Sequence, residues 1–205
     1  MLIDLSTLSA NQVYHTVTQT LIPRPIAWVL TENQSKSFNI APFSYFNAVS
    51  SEPPLLMLSI GLKKDGSPKD TRRNILERKH FVVHIASVNL VEALNNSSAE
   101  LPEDVSEVER ENLTLAEFPG FPLPRISGCK VAFACRFHEV QEIGKIRQAL
   151  IFGEIQTIFV DDSAVVKDSK GRMRVDSTAI SPLSRLGPGE YAEFGKLLRL
   201  PIPTA

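Results

Sequence analysis

The sequence predicts a mainly β domain with a few short helices, arranged as an antiparallel sheet. Three observations predict it. Six runs of β-branched, aromatic and other apolar residues are separated by polar segments rich in turn formers. The two longest, residues 130–141 and 146–160, flank the tight sequence Glu142-Ile143-Gly144-Lys145, which is the pattern of a long hairpin. The stretch from Leu21 to Pro54 is β-type yet carries Pro23, Pro25, Pro42, Pro53 and Pro54, and proline in a strand removes a ladder donor and belongs to edges or bulges. Backbone left unpaired at such an edge needs other partners, and a flat heterocycle with polar edges would supply them.

Taken in order, residues 10–20 predict a short helix with Ser9 as its cap and Val13 and Val17 on one face, an appendage to the sheet. Strands follow at 26–31 and 38–46, joined by the polar turn 32–37. The apolar run 55–62 predicts a strand buried on both faces. A loop with Lys63, Lys64, Gly66, Pro68 and Lys69 leads to a predicted helix over 70–79, with Asp70 as N-cap and Ile75 and Leu76 facing inward. A strand at 81–86 precedes predicted helices at 89–95 and 104–111. The proline-rich segment 118–124 is too short for a domain linker. After the long hairpin, Asp168-Ser169-Lys170-Gly171 marks a further polar hairpin, and no repeat or second domain is evident.

Composition narrows the function classes. A chain of 205 residues with 43% hydrophobic and 22% charged content is ordinary for one globular domain. The net charge of -1 gives no field to recruit nucleic acid or a membrane surface, so a small-molecule ligand is expected. No apolar run approaches the ~20 residues that cross a bilayer, and the N-terminus lacks a basic region followed by an apolar block, which points to the cytoplasm. Cys129 and Cys135 lie too far apart along one strand for a disulfide and read as free buried thiols. His80 and His84 share strand parity but have no carboxylate or thiolate at ligand spacing, and His15 and His138 are isolated, so no metal site is predicted.

Two segments carry candidate chemistry. Asp70-Thr71-Arg72-Arg73 opens a helix directly after Lys69, offering free amides, a helix dipole, a hydroxyl and cationic side chains to an anion; a capped surface helix with solvated charges is the structural alternative. The proline-interrupted backbone at 23–25 and 41–44 can present polar groups to a flat ring, with Ser44, Asn47, Ser50 and Ser59 as side-chain partners; the alternative is that these serines and asparagines satisfy edge backbone. Arg24, held between two prolines, has a fixed backbone that aims its side chain toward a ligand's negative end. No nucleophile elbow, phosphate loop or dinucleotide fingerprint occurs, so a nicotinamide donor would have no domain of its own.

Pro23-Arg24-Pro25-Ile26-Ala27-Trp28-Val29, Asn39-Ile40-Ala41-Pro42-Phe43-Ser44-Tyr45-Phe46-Asn47, Pro53-Pro54 and Lys69-Asp70-Thr71 with Asn74 resemble successive signatures of the flavin reductase-like family. These are FMN-binding split-barrel proteins that include flavoredoxin, and the blocks occur in the same order over most of the chain. The resemblance implies a six-stranded antiparallel Greek-key split β-barrel spanning residues 1–205 as one FMN-binding domain. It implies FMN as cofactor, NADH or NADPH as electron donor, a small-molecule acceptor and a homodimer. The flavin carries the chemistry, hydride passing from nicotinamide C4 to flavin N5, so no catalytic acid or base is required. Carried onto this sequence, the cofactor site comprises Arg24, Pro25, Asn39, Ala41, Pro42, Ser44, Asn47, Ser59, Lys69, Asp70, Thr71 and Asn74. Residues 182–191, with Arg185 and Tyr191, resemble the family's closing signature, and His84 stands where members often carry asparagine. Two alternatives stay open: an FMN electron carrier like flavoredoxin, and a split-barrel module for another ligand.

Overall fold

The computed structural model describes residues 1–201 and 203. Helix α1 (Ala10–Thr20) forms where the sequence places it. Ser9 and Gln12 make a reciprocal capping box, satisfying amides that the first turn leaves unpaired. The chain then runs through β1 (Arg24–Pro25), β2 (Ala27–Glu32), β3 (Phe38–Phe43), β4 (Phe46–Ser51), β5 (Pro54–Ile60), α2 (Asp70–Arg78) and β6 (His80–Ile85). Three helical or short extended pieces follow: α3 (Val91–Asn96), α4 (Glu107–Arg110), and the pair β7 (Leu115–Ala116) and β8 (Arg125–Ile126). The long hairpin is β9 (Val131–Ile143) and β10 (Gln148–Val160), and the chain closes with β11 (Val165–Lys167), β12 (Met173–Val175), α5 (Ser177–Ile180), β13 (Ser184–Arg185) and β14 (Tyr191–Ala192).

The principal sheet is antiparallel, with seven strands in the order β3-β2-β6-β9-β10-β5-β4. The six-strand expectation fails at one place. The predicted strand 38–46 ends at Phe43, and after a bend at Ser44 and Tyr45 the chain continues from Phe46 as β4, so that β3 and β4 lie at opposite edges of the sheet. One continuous segment therefore carries the chain from one edge to the other. That crossing curls the sheet into a barrel, and the Ser59 N–H reaches the Tyr45 carbonyl at 2.9 Å across the corner.

Alternation of side chains divides the interior in two. Ala27 and Val29 of β2 meet Leu56, Leu58 and Ile60 of β5, Phe81 and Val83 of β6, and Ile151 of β10 inside the barrel. Trp28 and Leu30 of β2 and Val82 of β6 point the other way, under α3, α4 and the segment holding Phe118 and Leu123. Double-sided burial thus belongs to β2, whereas β5, for which the sequence predicts it, alternates: Leu56, Leu58 and Ile60 are buried while Leu55, Met57 and Ser59 are half-exposed. Leu76, predicted to face inward beside Ile75, is only half-buried, and Ile75 alone joins the inner core. Helices expected at 89–95 and 104–111 are shorter than their patterns suggest, reduced to α3 and α4.

Cys129 and Cys135 are free and buried in different cores, and burial pushes the Cys129 thiol up to about 12. His84 is fully buried. The Ile126 N–H donates to its Nε2 at 2.9 Å, so the proton sits on Nδ1, which donates to the Trp28 carbonyl at 3.0 Å. Burial pushes its pKa down to about 4, and the neutral ring ties β6 to β2 and β8.

Gly153 in β10 sits at a register shift, directly beneath the Phe81 ring. A Cβ there would lie 2.3 Å from Phe81 Cζ. Gly153→Ala should therefore destabilise the fold by about 1–3 kcal/mol through overpacking, read as a lowered urea midpoint. An unchanged midpoint would show that Phe81 has room to move.

Candidate functional site

The site begins at the N-terminus of α2. Its N-cap is Lys69, one residue before the predicted Asp70, and Lys69 makes no side-chain capping bond. Asp70 is instead the first helical residue, and its carboxylate is held by Lys63 at 2.8 Å and by Arg73 at 2.7 Å. Among the described residues the backbone amides of Asp70, Thr71 and Arg72 have no assigned acceptor, and Asp70 and Thr71 line a cavity of about 120 Å3. Asn39, Ala41 and Pro42 of β3 form one wall, Lys63, Lys69, Asp70 and Thr71 another, and Ser97, Ser98 and Glu107 the third.

A buried polar network fixes this wall. Asn39 Nδ2 donates to Thr71 Oγ1 at 3.0 Å and to Thr31 Oγ1 at 3.2 Å. Asn74 Nδ2 donates to Thr31 Oγ1 at 3.1 Å and to Asn33 Oδ1 at 2.9 Å. With Asn39 as its donor, the Thr71 hydroxyl keeps its own hydrogen for an acceptor in the cavity. Asn74 lies behind the cavity wall and positions Thr71 through Thr31 and Asn39.

A second cavity, about 300 Å3, adjoins the first and shares Pro42 and Ser98 with it. Tyr14, His15 and Thr18 of α1, Arg24, Ser44, Arg185 and Tyr191 line it. Arg24 is buried, and its guanidinium donates to the carbonyls of Thr18, Leu21 and Leu186 and to Ser44 Oγ. It caps the C-terminal end of α1 and ties that helix to the β3–β4 corner and the C-terminal segment. Pro25, Asn47 and Ser59 lie apart from both cavities, on an open apolar face with Val17, Leu21, Phe46, Met57 and Leu150. Ser44 borders both this face and the second cavity. The predicted set therefore divides: Asn39, Ala41, Pro42, Lys69, Asp70 and Thr71 meet at one cavity, Arg24 and Ser44 stand at its neighbour, and Asn74 supports from behind.

Sequence reasoning missed Lys63 and Glu107. Glu107 comes from α4, which Ser106 docks on β3 by donating to the Phe38 carbonyl at 2.6 Å while capping Glu109. The docking drives the Glu107 side chain inward, where Ile40 N–H donates to Oε2 at 3.2 Å. Burial, with a smaller contribution from Asp70, pushes the Glu107 pKa up from 4.5 to about 7. A raised carboxyl pKa means that the folded chain holds the proton more tightly than the unfolded one, so this residue's contribution to stability is lost as pH rises from about 4.5 to about 7. Glu107→Gln keeps an acceptor for Ile40 and removes the charge. Its stability relative to the parent protein should be greater at pH 8 than at pH 5 by on the order of 1–3 kcal/mol in urea denaturation. A pH-independent difference would refute the titration.

Comparison with known proteins places this arrangement. The flavin reductase like domain matches residues 19–174. An uncharacterized protein of Halalkalibacterium halodurans is 35% identical over 100% of this chain and 97% of its own length. The solved structure of nitrilotriacetate monooxygenase component B from Bacillus cereus superposes with a TM-score of 0.88 and 31% identity, covering 98% of each chain. That of the 2-nitrobenzoate 2-nitroreductase NbaA from Pseudomonas fluorescens gives 0.87 and 28% identity, covering 100% of this chain and 97% of that one. With the family signature spanning most of the sequence and the split-barrel architecture shared along its whole length, the chain belongs to the flavin reductase like family.

Proposed function

We propose that residues 1–205 act as one FMN-dependent oxidoreductase unit, reduced by NADH or NADPH, with the FMN phosphate held at the N-terminus of α2. The observation that carries this reading is the meeting of an uncapped helix N-terminus, Thr71 and two lysines at a cavity bordered by the proline-interrupted strand β3. The chemistry of the donors fits a phosphate. First-turn amides and the Thr71 hydroxyl supply hydrogen bonds, and Lys69, which pairs with no carboxylate among the described residues, supplies charge beside the Lys63–Asp70 pair. Of the three carboxylates in the wall, Asp70 is paired with Lys63 and Arg73, burial pushes the Glu107 pKa up to about 7, and Glu100 is exposed to solvent.

The FMN ring would rest against residues 42–44, where backbone polar groups and Ser44 are available and where the corner leaves the ladder. Bound FMN supplies hydride acceptance at its N5. The chain's share is to fix the phosphate, hold the ring edge against the corner, and align an incoming donor. No side chain need move a proton for that transfer. The reading extends to a homodimer whose contact is the apolar face of Val17, Leu21, Phe46, Met57 and Leu150. It also extends to a reducing, cytoplasmic setting, consistent with the two free thiols. That relatives solved at 31% and 28% identity are named as a monooxygenase component and a nitroreductase supports an oxidoreductase role.

Two measurements test it. The purified protein, incubated with FMN, should show a flavin spectrum that bleaches under anaerobic NADH or NADPH; flavin that stays oxidised with both would indicate a carrier reduced by a protein partner. Replacing Lys69 and Thr71 together by alanine should weaken FMN binding by about 1–3 kcal/mol, the scale of lost charge-assisted hydrogen bonds. Unchanged affinity in a folded double variant would place the phosphate elsewhere.

A further inference from the structure

The second cavity has an electrostatic character that its neighbour lacks. Strand β13 pairs with β1 so that Arg185 stands directly opposite Arg24, and both line the cavity. Like charges facing each other across an antiparallel ladder are destabilising. Nothing on the walls offsets them: the lining contains no aspartate or glutamate, and Glu190, beside Gly187, is exposed and outside the lining. Among the described residues neither arginine makes an ion pair with a carboxylate. Arg24 is buried at 5% exposure with only carbonyl and hydroxyl partners, so it keeps a full charge inside the protein.

Arg185 is poised differently. Its guanidinium lies 4.5 Å from the centre of the Tyr191 ring, and Tyr191 is itself anchored by donating from its hydroxyl to Asn95 Oδ1 at 3.0 Å. The Tyr191 hydroxyl accepts one hydrogen bond from the Arg185 side chain, and no other acceptor is assigned to that guanidinium among the described residues, so the rest of its planar fork is available to a ligand. Tyr14, Ile26, Pro42 and Leu94 supply flat or apolar surface, beside the polar side chains of His15, Thr18, Ser44 and Ser98. A volume of about 300 Å3 lies at the small end of ligand pockets, suited to a single ring and too small for a dinucleotide.

We propose that this cavity binds an aromatic monocarboxylate of one ring, its carboxylate gripped by Arg185 and held in the field of Arg24. The ring would lie between Tyr14 and Pro42. Because Pro42 and Ser44, against which the proposed FMN ring rests, also line this cavity, such a ligand would abut the flavin, and to that extent the inference rests on the proposed function. The carboxylate site itself does not depend on it.

Isothermal titration of the purified protein with benzoate, benzamide and inorganic pyrophosphate tests the assignment, with FMN affinity measured separately by flavin fluorescence. Benzoate should bind at least about tenfold more tightly than benzamide, its neutral isostere. Arg185→Gln should raise the benzoate Kd by about tenfold or more while changing FMN affinity by less than about twofold. Equal binding of benzoate and benzamide would overturn the proposal without any variant. A parallel loss of FMN affinity in Arg185→Gln would also overturn it, assigning the cavity to the flavin. Pyrophosphate binding more tightly than benzoate would overturn the aromatic assignment in favour of a nucleotide. If the parent protein binds benzoate through Arg185 but takes up no FMN, the carboxylate site stands and the flavin reading fails.

Discussion

Closure of the sheet by residues 38–51 is the constraint on which the rest depends. Because β3 and β4 occupy opposite edges, the two residues between them must leave both ladders at once. An edge strand exposes unpaired amides and carbonyls, and joining the two edges through one bend removes most of that liability. What remains is a short length of backbone at Ser44 and Tyr45, pinned by the Tyr45 carbonyl's bond from Ser59 and by Arg24 donating to Ser44 Oγ. A rigid barrel thus delivers a small amount of irregular backbone to its surface. The second cavity and the open apolar face border this segment, and the first cavity lies beside it at Pro42 and Phe43.

The same closure explains the buried polar network behind the first cavity. Helix α2 lays Ile75 into the inner core, and that docking brings Asn74 and Thr71 against β2 and β3. Thr31 accepts from both asparagines, so the amide and hydroxyl groups that docking removes from water are paired rather than orphaned. Such pairing is worth little in net stability per bond, but an unpaired member would be costly. Its yield is geometric. Thr71 and the first turn of α2 are held at a defined distance from β3, as a site for a small charged group needs.

Much of this was legible in the sequence where the signal was local. Ser9 as the cap of α1, the 130–160 ribbon and the lysine-rich approach to α2 all rest on residues a few positions apart, and they form where expected within a residue or two. The bend at Ser44 was hidden because Phe43, Tyr45 and Phe46 keep an aromatic run going across it, and the run says nothing of a change of partner strand. The α2 cap moved by one residue because Asp70 found Lys63 and Arg73, an ion-pair arrangement spanning a loop. Glu107 carries no signature at all: a glutamate in a short amphipathic helix reads as solvated until Ser106 docks that helix on β3. The site residues grouped well where they share β3 and α2 and scattered where, as with Pro25, Asn47 and Ser59, the barrel's curvature turns them onto the other face.

Arg24 shows how structural and ligand-facing roles merge in one side chain. The sequence argues that flanking prolines aim it at a negative group, yet four of its five donors are spent on Thr18, Leu21, Leu186 and Ser44. Hydrogen bonds to carbonyls solvate a guanidinium without cancelling its charge, so the field persists where most of the bonding capacity is used. Placing Arg185 across the ladder from it adds a second charge whose side chain is engaged only by Tyr191 among the described residues. Arg24 therefore holds three segments together and biases the cavity toward anions, while Arg185 supplies directional recognition. The cost of the like-charge pair falls on a short three-stranded sheet at the periphery, away from the seven-stranded barrel that carries the fold.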